Sequence, residues 1–216
     1  VHYVVANSGI TREDEVFKYE DAEEPKKPDL MILDVNITGT MYTTKLATHY
    51  FIKQNGNHAS PTQEDTCLIL IGSGAAFLDV LRTPLYAASK WAARGIMHAL
   101  RRTAYHYGSR VNVISPWYVK TSILSDADFE HVRSQGVEFA TVEDAEQCLL
   151  RIISDVSVNG RSLFLAPRKW SPRGYLDLDV DDYHDDRMQE YMEAQMIGGD
   201  VDKLFLKQYK LEFDQK

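Results

Sequence analysis

The run Tyr86-Ala87-Ala88-Ser89-Lys90 sets a phenol and an ammonium four residues apart. On a helix that spacing is about one turn, so the two groups share a face. A free phenol keeps its proton to a pKa of about 10. A fixed positive charge beside it favours the phenolate and pulls that value down. A phenol tuned in this way can exchange a proton with the oxygen of an alcohol or ketone. The same spacing also describes an ordinary solvated helix face, so its neighbours must carry the reading. Ser73, in Gly72-Ser73-Gly74, precedes Tyr86 by thirteen residues and closes an apolar run. It is a turn residue or a group that orients a substrate oxygen. It is not a nucleophile elbow, because Ile71 stands where Gly-x-Ser-x-Gly needs its first glycine.

The elements that would position these groups alternate in type. Residues 1–5 are rich in β-formers, read as a buried strand, and end at the turn Asn7-Ser8-Gly9. Residues 11–28 are charged and contain Pro25 and Pro28, which suits a loop or short helix. A long helix is expected over 29–55, with apolar or aromatic positions at Met31, Val35, Tyr42, Leu46 and Tyr50. Thr66 to Ile71 reads as a second buried strand. The next helix, over 84–107, is expected to pack through Ala87, Ala88, Trp91, Gly95, Ile96 and Ala99. Arg110 to Ser115 is a third strand, stopped by Pro116. Thr141, with Asp144 three residues on, reads as the cap of a helix reaching Asp155. Residues 162–166 form a fourth strand. Strands alternating with helices predict an α/β fold with a doubly wound, Rossmann-like parallel sheet. Ligands of such sheets sit beyond the carboxyl ends of the strands. The Asn7 turn, Ser73 and the segment 116–121 should therefore gather on one rim.

The 216 residues, 44% of them hydrophobic, suffice for one sizeable core. A net charge of -8 with no basic stripe argues against nucleic acid as a partner. No apolar run is long enough to span a bilayer and no signal peptide is visible, which predicts no membrane association. Cys67 and Cys148 lie in apolar surroundings and read as buried free thiols of a reducing, cytoplasmic protein. The histidines lack metal-ligand spacing, so no metal is expected. Residues 167–216 form an acidic loop and helical tail, with a helix expected over 185–196. Residues 177–186 hold six Asp and one His, but their spacing does not match a calcium loop.

In order and spacing, these pieces resemble the short-chain dehydrogenase/reductase family. Ala6-Asn7-Ser8-Gly9 is similar to its Asn-Asn-Ala-Gly turn, and Asn36 sits where the family carries a helix asparagine. Ser73, Tyr86 and Lys90 match its catalytic serine and Tyr-x-x-x-Lys motif, and residues 116–121 resemble its Pro-Gly-x-Val-x-Thr segment. The resemblance covers residues 1–166, the catalytic part of a dinucleotide-binding domain. Gly174-Tyr175-Leu176-Asp177 resembles the fungal hydroxyprostaglandin-dehydrogenase-like branch. The resemblance implies roles. Tyr86 would be the acid/base, and Lys90 would lower its pKa and bond the nicotinamide ribose. Ser73 would orient the substrate oxygen, and Asn36 would hold a relay water. Val119 and Thr121 would contact the carboxamide of NAD or NADP, and Asn7 and Gly9 would lie beside the adenosine ribose. Residues 122–140 fall where the family carries a substrate lid. Ile123, Leu124, Phe129, Val132 and Phe139 there suggest a hydrophobic alcohol or ketone. A homo-oligomer is the expected assembly.

Three departures stand out. No Gly-x-x-x-Gly-x-Gly phosphate loop occurs, which leaves the expected fold without its first strands and the edge at strand 1–5 open, so the expectation is a longer protein, or another chain or a rearranged tail covering that edge. Ala6 replaces the first asparagine of the turn. Trp117 replaces the glycine after Pro116. The alternative to an enzyme is a degenerate, cofactor-free dehydrogenase fold that serves as a binding or regulatory subunit.

Overall fold

The computed structural model describes residues 1–16 and 18–178. The helix expected over 185–196 and most of the acidic cluster lie outside the described residues. Four strands, β1 (Tyr3–Ala6), β2 (Thr66–Ile71), β3 (Ser109–Pro116) and β4 (Ser162–Leu165), run parallel in sequential order. A short β5 (Tyr175–Asp177) then pairs antiparallel with β4 and extends the sheet past residue 166.

Helices cover both faces. Here α1 is Met31–Leu33, α2 Thr40–Asn55, α3 Pro84–Leu100, α4 Asp126–Ser134 and α5 Val142–Ser154. The period of two along each strand sorts its side chains between the faces. Leu68, Leu70, Val111 and Val113 pack with Phe51 of α2 and Met97 of α3. Cys67, Ile69 and Ile114 pack with Cys148 and Ile152 of α5. β2 is almost wholly buried, as expected of a strand covered on both sides. Both cysteines are free and buried.

β1 is not the buried strand that its composition predicted. It is an edge, with Tyr3 and Val5 each 40% exposed and only Ala6 buried.

The packed face of α3 also differs from expectation. α3 buries Leu85, Ser89, Lys90, Ala93 and Met97. Trp91, expected inside, is 53% exposed, and Ala88, Gly95 and Ala99 also face outward. α2 buries Thr44, Ala47 and Phe51, while Tyr42, Leu46 and Tyr50 stay exposed. Among the described residues, no helix is long and apolar enough to cross a membrane.

The long helix expected over 29–55 is interrupted. Between α1 and α2 the backbone widens into a π-helical segment, Asp34–Gly39, with Asn36 buried inside it. The helix expected to reach residue 107 instead ends at Leu100. It is followed by a 3-10 turn, Ala104–Tyr107, closed by Gly108 in the left-handed region. The predicted cap of α5 is present as a reciprocal box between Thr141 and Asp144.

Candidate active site

Ser73 follows β2 and caps a 3-10 turn, Gly74–Ala76, by accepting a hydrogen bond from Ala75 N at 3.2 Å. Its hydroxyl also acts on the Tyr86 phenol, lowering that group's pKa. Tyr86 lies in the first turn of α3. Thr83 gives that helix end no side-chain cap. Asp14 supplies one from the distant loop after β1, its Oδ2 accepting from Leu85 N at 2.7 Å. The start of α3, and with it Tyr86, is therefore fixed by a tertiary contact.

Lys90 is buried one turn further along. Its Nζ donates to Ile71 O at 3.2 Å and lies 5.5 Å from the centroid of the Tyr86 ring. Burial pushes its ammonium down to about 8. The lowered Tyr86 phenol expected from Lys90 is not what the structure holds. Burial raises the Tyr86 pKa, and the Ser73 side chain opposes that only in part. The reason is position: Lys90 stands over the ring face.

Asn36 braces this arrangement. Its Oδ1 accepts from Ile10 N at 2.8 Å, and its Nδ2 donates to Ile10 O at 2.9 Å and to Ser89 Oγ at 3.0 Å. Ser89 in turn donates to Tyr86 O at 2.7 Å. The loop after β1 is thus tied through Asn36 to the helix that carries the phenol. The π-helical widening supports this placement, and π segments recur at functional sites. Thr40 Oγ1 donates to the Asn36 carbonyl at 2.7 Å. A methyl group added at Gly9 would lie 3.4 Å from both Asn36 Oδ1 and Lys90 Nζ, so glycine keeps the space in front of the ammonium open.

Gly9, Asn36, Ser73, Tyr86 and Lys90 therefore come together. The remaining expected residues sit on the same rim but apart from this cluster. Asn7 is exposed at the end of β1. Val119 is half-buried and forms a parallel bridge with Ala140. Thr121 is exposed, its Oγ1 accepting from Ile123 N at 3.3 Å. It does not cap the next helix. Ser125 does so, in a box with Asp128. Sequence reasoning missed Ser89 and Asp14. Ser89 lies inside the Tyr86 to Lys90 run, so its place on the inner helix face was within reach. Nothing local marks Asp14, whose partner is 71 residues away.

The sequence profile described as short chain dehydrogenase matches residues 1–130. The chain is 29% identical over 188 residues to 5'-hydroxyaverantin dehydrogenase of Dothistroma septosporum, covering 83% of this chain and 58% of that protein. It is 24% identical to the short-chain dehydrogenase/reductase prx7 of Penicillium rubens, covering 92% and 75% respectively. It is 33% identical over 109 residues to the NAD(+) 15-hydroxyprostaglandin dehydrogenase of Rattus norvegicus, covering 50% and 39%. The chain thus spans little more than half the length of the first of these relatives. The fold is shared with a gluconate 5-dehydrogenase from Burkholderia cenocepacia, solved with NADP and tartrate. That match has a TM-score of 0.63 at 21% identity and covers 79% of this chain and 65% of the other.

Proposed function

The chain belongs to the short-chain dehydrogenase family, whose profile matches 130 of its 216 residues, and on that premise we propose that the protein is an NAD(P)-dependent oxidoreductase interconverting a hydrophobic secondary alcohol and its ketone. The observation that carries this reading is the buried Lys90 ammonium 5.5 Å from the centroid of the Tyr86 ring, with the buried Ser73 acting on the same phenol.

The residues present fit a nicotinamide cofactor. An ammonium has three donors, and among the described residues Lys90 directs a hydrogen bond to one acceptor, Ile71 O. A buried cation with donors to spare suits the paired hydroxyls of a ribose, and Gly9 keeps the approach to it clear. Asn7, Gly9, Lys90, Val119 and Thr121 would hold the cofactor. When bound, it supplies or accepts the hydride.

The chain's own residues handle the proton. Ser73 orients the substrate oxygen. In the reducing direction Tyr86 gives its proton to that oxygen, and in the oxidising direction it takes the proton back. Its raised pKa keeps the phenol protonated near neutral pH, which suits the donor role. Lys90 holds positive charge beneath the ring. Asn36 is a positioning residue, since both its N–H donors are taken by Ile10 O and Ser89. The exposed Tyr42, Leu46 and Tyr50 of α2, together with Trp91 of α3, support self-association into a homo-oligomer. The two buried thiols support a reducing, cytoplasmic setting.

The test is titration of NADH and NADPH against the protein as its gene encodes it, followed by the cofactor's fluorescence. Saturable binding with turnover of secondary alcohols is expected. Absence of saturable binding would instead favour the regulatory-subunit reading.

A further inference from the structure

The oxidoreductase reading leaves the substrate class open, and the structure addresses it through Trp117. Resting on that reading, we propose that the substrate carries a flat aromatic ring system next to its reacting carbon, seated on an aromatic platform that starts at Trp117.

Trp117 follows the last residue of β3 and stands where the sequence resemblance places a glycine. The indole fits there because residue 74 is itself glycine. A Cβ at Gly74 would fall 2.4 Å from Trp117 Cε3, 3.1 Å from its Cδ2 and 2.9 Å from Phe164 Cε2. The ring therefore lies directly on the residue that follows Ser73, the group that lowers the pKa of the Tyr86 phenol. A substrate oxygen held by Ser73 puts its neighbouring carbons within reach of that indole.

The platform continues in two directions. Tyr118 meets Trp117 edge-on at 4.9 Å and stacks on Phe139 at 5.9 Å with a 30° interplanar angle. Phe139 meets the buried Phe129 of α4 at 5.5 Å. On the other side Phe164 meets Phe77 edge-on at 6.1 Å. Guanidinium groups close both ends, with Arg94 4.2 Å from the Phe77 centroid and Arg133 5.5 Å from that of Phe139. The rings thus fix one another's orientation. Trp117, Tyr118, Phe139, Phe77 and Phe164 all remain half-buried, which leaves apolar face for a bound group to cover. An aliphatic chain would gain only area against these faces. A flat ring would also gain stacking and edge-to-face contacts.

The experiment compares acetophenone with 2-octanone, ketones of equal carbon number, on the protein as its gene encodes it. Ketone binding is read by equilibrium dialysis and turnover by kcat/KM. The wild type is expected to prefer acetophenone about tenfold. Trp117→Leu should lower kcat/KM for acetophenone far more than for 2-octanone, bringing the two ketones to within about twofold, and Trp117→Phe should keep most of the preference. If Trp117→Leu fails to fold by circular dichroism, Gly74→Ala, which drives the indole off its seat, should abolish the preference instead. Turnover of both ketones without preference would overturn the platform and leave the oxidoreductase reading standing. Trp117-dependent binding of acetophenone without turnover of either ketone would support the platform and overturn that reading. Equal loss of both ketones in a folded Trp117→Leu would also overturn the platform.

Discussion

The rim of this sheet has two parts built to opposite standards. Around Tyr86, Asn36, Ser73 and Lys90 are buried and held by named hydrogen bonds before any ligand arrives. Asn7 and Thr121, on the same rim, are exposed, and Thr121 accepts a hydrogen bond from within its own turn. Under the proposed function the difference follows from the task of each part. A proton-transfer group needs a controlled environment, and burial moves both pKa values, raising that of Tyr86 and lowering that of Lys90. Residues that only contact a ligand gain their environment from the ligand.

The contrast breaks most sharply at the phenol. Tyr86→Phe removes the proton donor and leaves the packing in place. Turnover should fall by about 10³-fold or more, while reduced-cofactor affinity stays within about twofold. Steady-state kinetics together with a fluorescence titration separate the two effects. A matching loss of affinity would mean that Tyr86 belongs with the binding part of the rim.

Lys90 sets activity against stability. Its pKa in the folded chain, about 8, lies below its ordinary value of 10.5. Between those values the unfolded chain binds more protons, so stability should rise as pH climbs from about 8 to 10.5, and the buried charge should cost stability below that window. Lys90→Met should abolish turnover, stabilise the fold at pH 7 by roughly 1–2 kcal/mol after the lost bond to Ile71 is counted, and flatten the pH dependence. Urea unfolding at neutral and alkaline pH measures all of this except turnover. A destabilised Lys90→Met would show that the charge is better compensated than its surroundings indicate.

Asn36→Ala tests whether the enclosed part is a braced unit. It leaves both polar groups of the Ile10 peptide and the Ser89 hydroxyl without their Asn36 partner, and should cost roughly 2–4 kcal/mol of stability. A loss confined to activity would reassign Asn36 from positioning to chemistry. At the small end, Thr121→Ala should change stability by no more than about 0.5 kcal/mol. Its effect should appear as a few-fold weaker cofactor affinity with kcat unchanged.

Much of the scaffold was legible because it follows local rules. The Cys67 to Ile71 run is apolar throughout and bounded by polar and glycine signals, and β2 spans it together with Thr66. The Thr141 and Asp144 pair marked the start of α5. Other features escaped for physical reasons. β5 is three residues long, too short for a period to show. α4 carries a capping box at Ser125 and Asp128, but its apolar residues read as a lid wall. The inner face of α3 was misassigned because it buries Ser89 and Lys90 and exposes Trp91. Hydrophobicity alone would invert that choice. Only partners far away in the chain make it tolerable.

The sequence by itself determined the order of the four parallel strands, the carboxyl rim on which the candidate site gathers, and the spacing that puts Tyr86 and Lys90 on one helical turn. Those follow from backbone periodicity and local turn chemistry, which are short-range. Tertiary structure alone decided that Lys90 stands over the ring of Tyr86, that burial raises the phenol's pKa, and that Asp14 and Asn36 hold α3 from the loop side. Desolvation and hydrogen bonding across tens of residues depend on what packs against a group, and no local pattern encodes that.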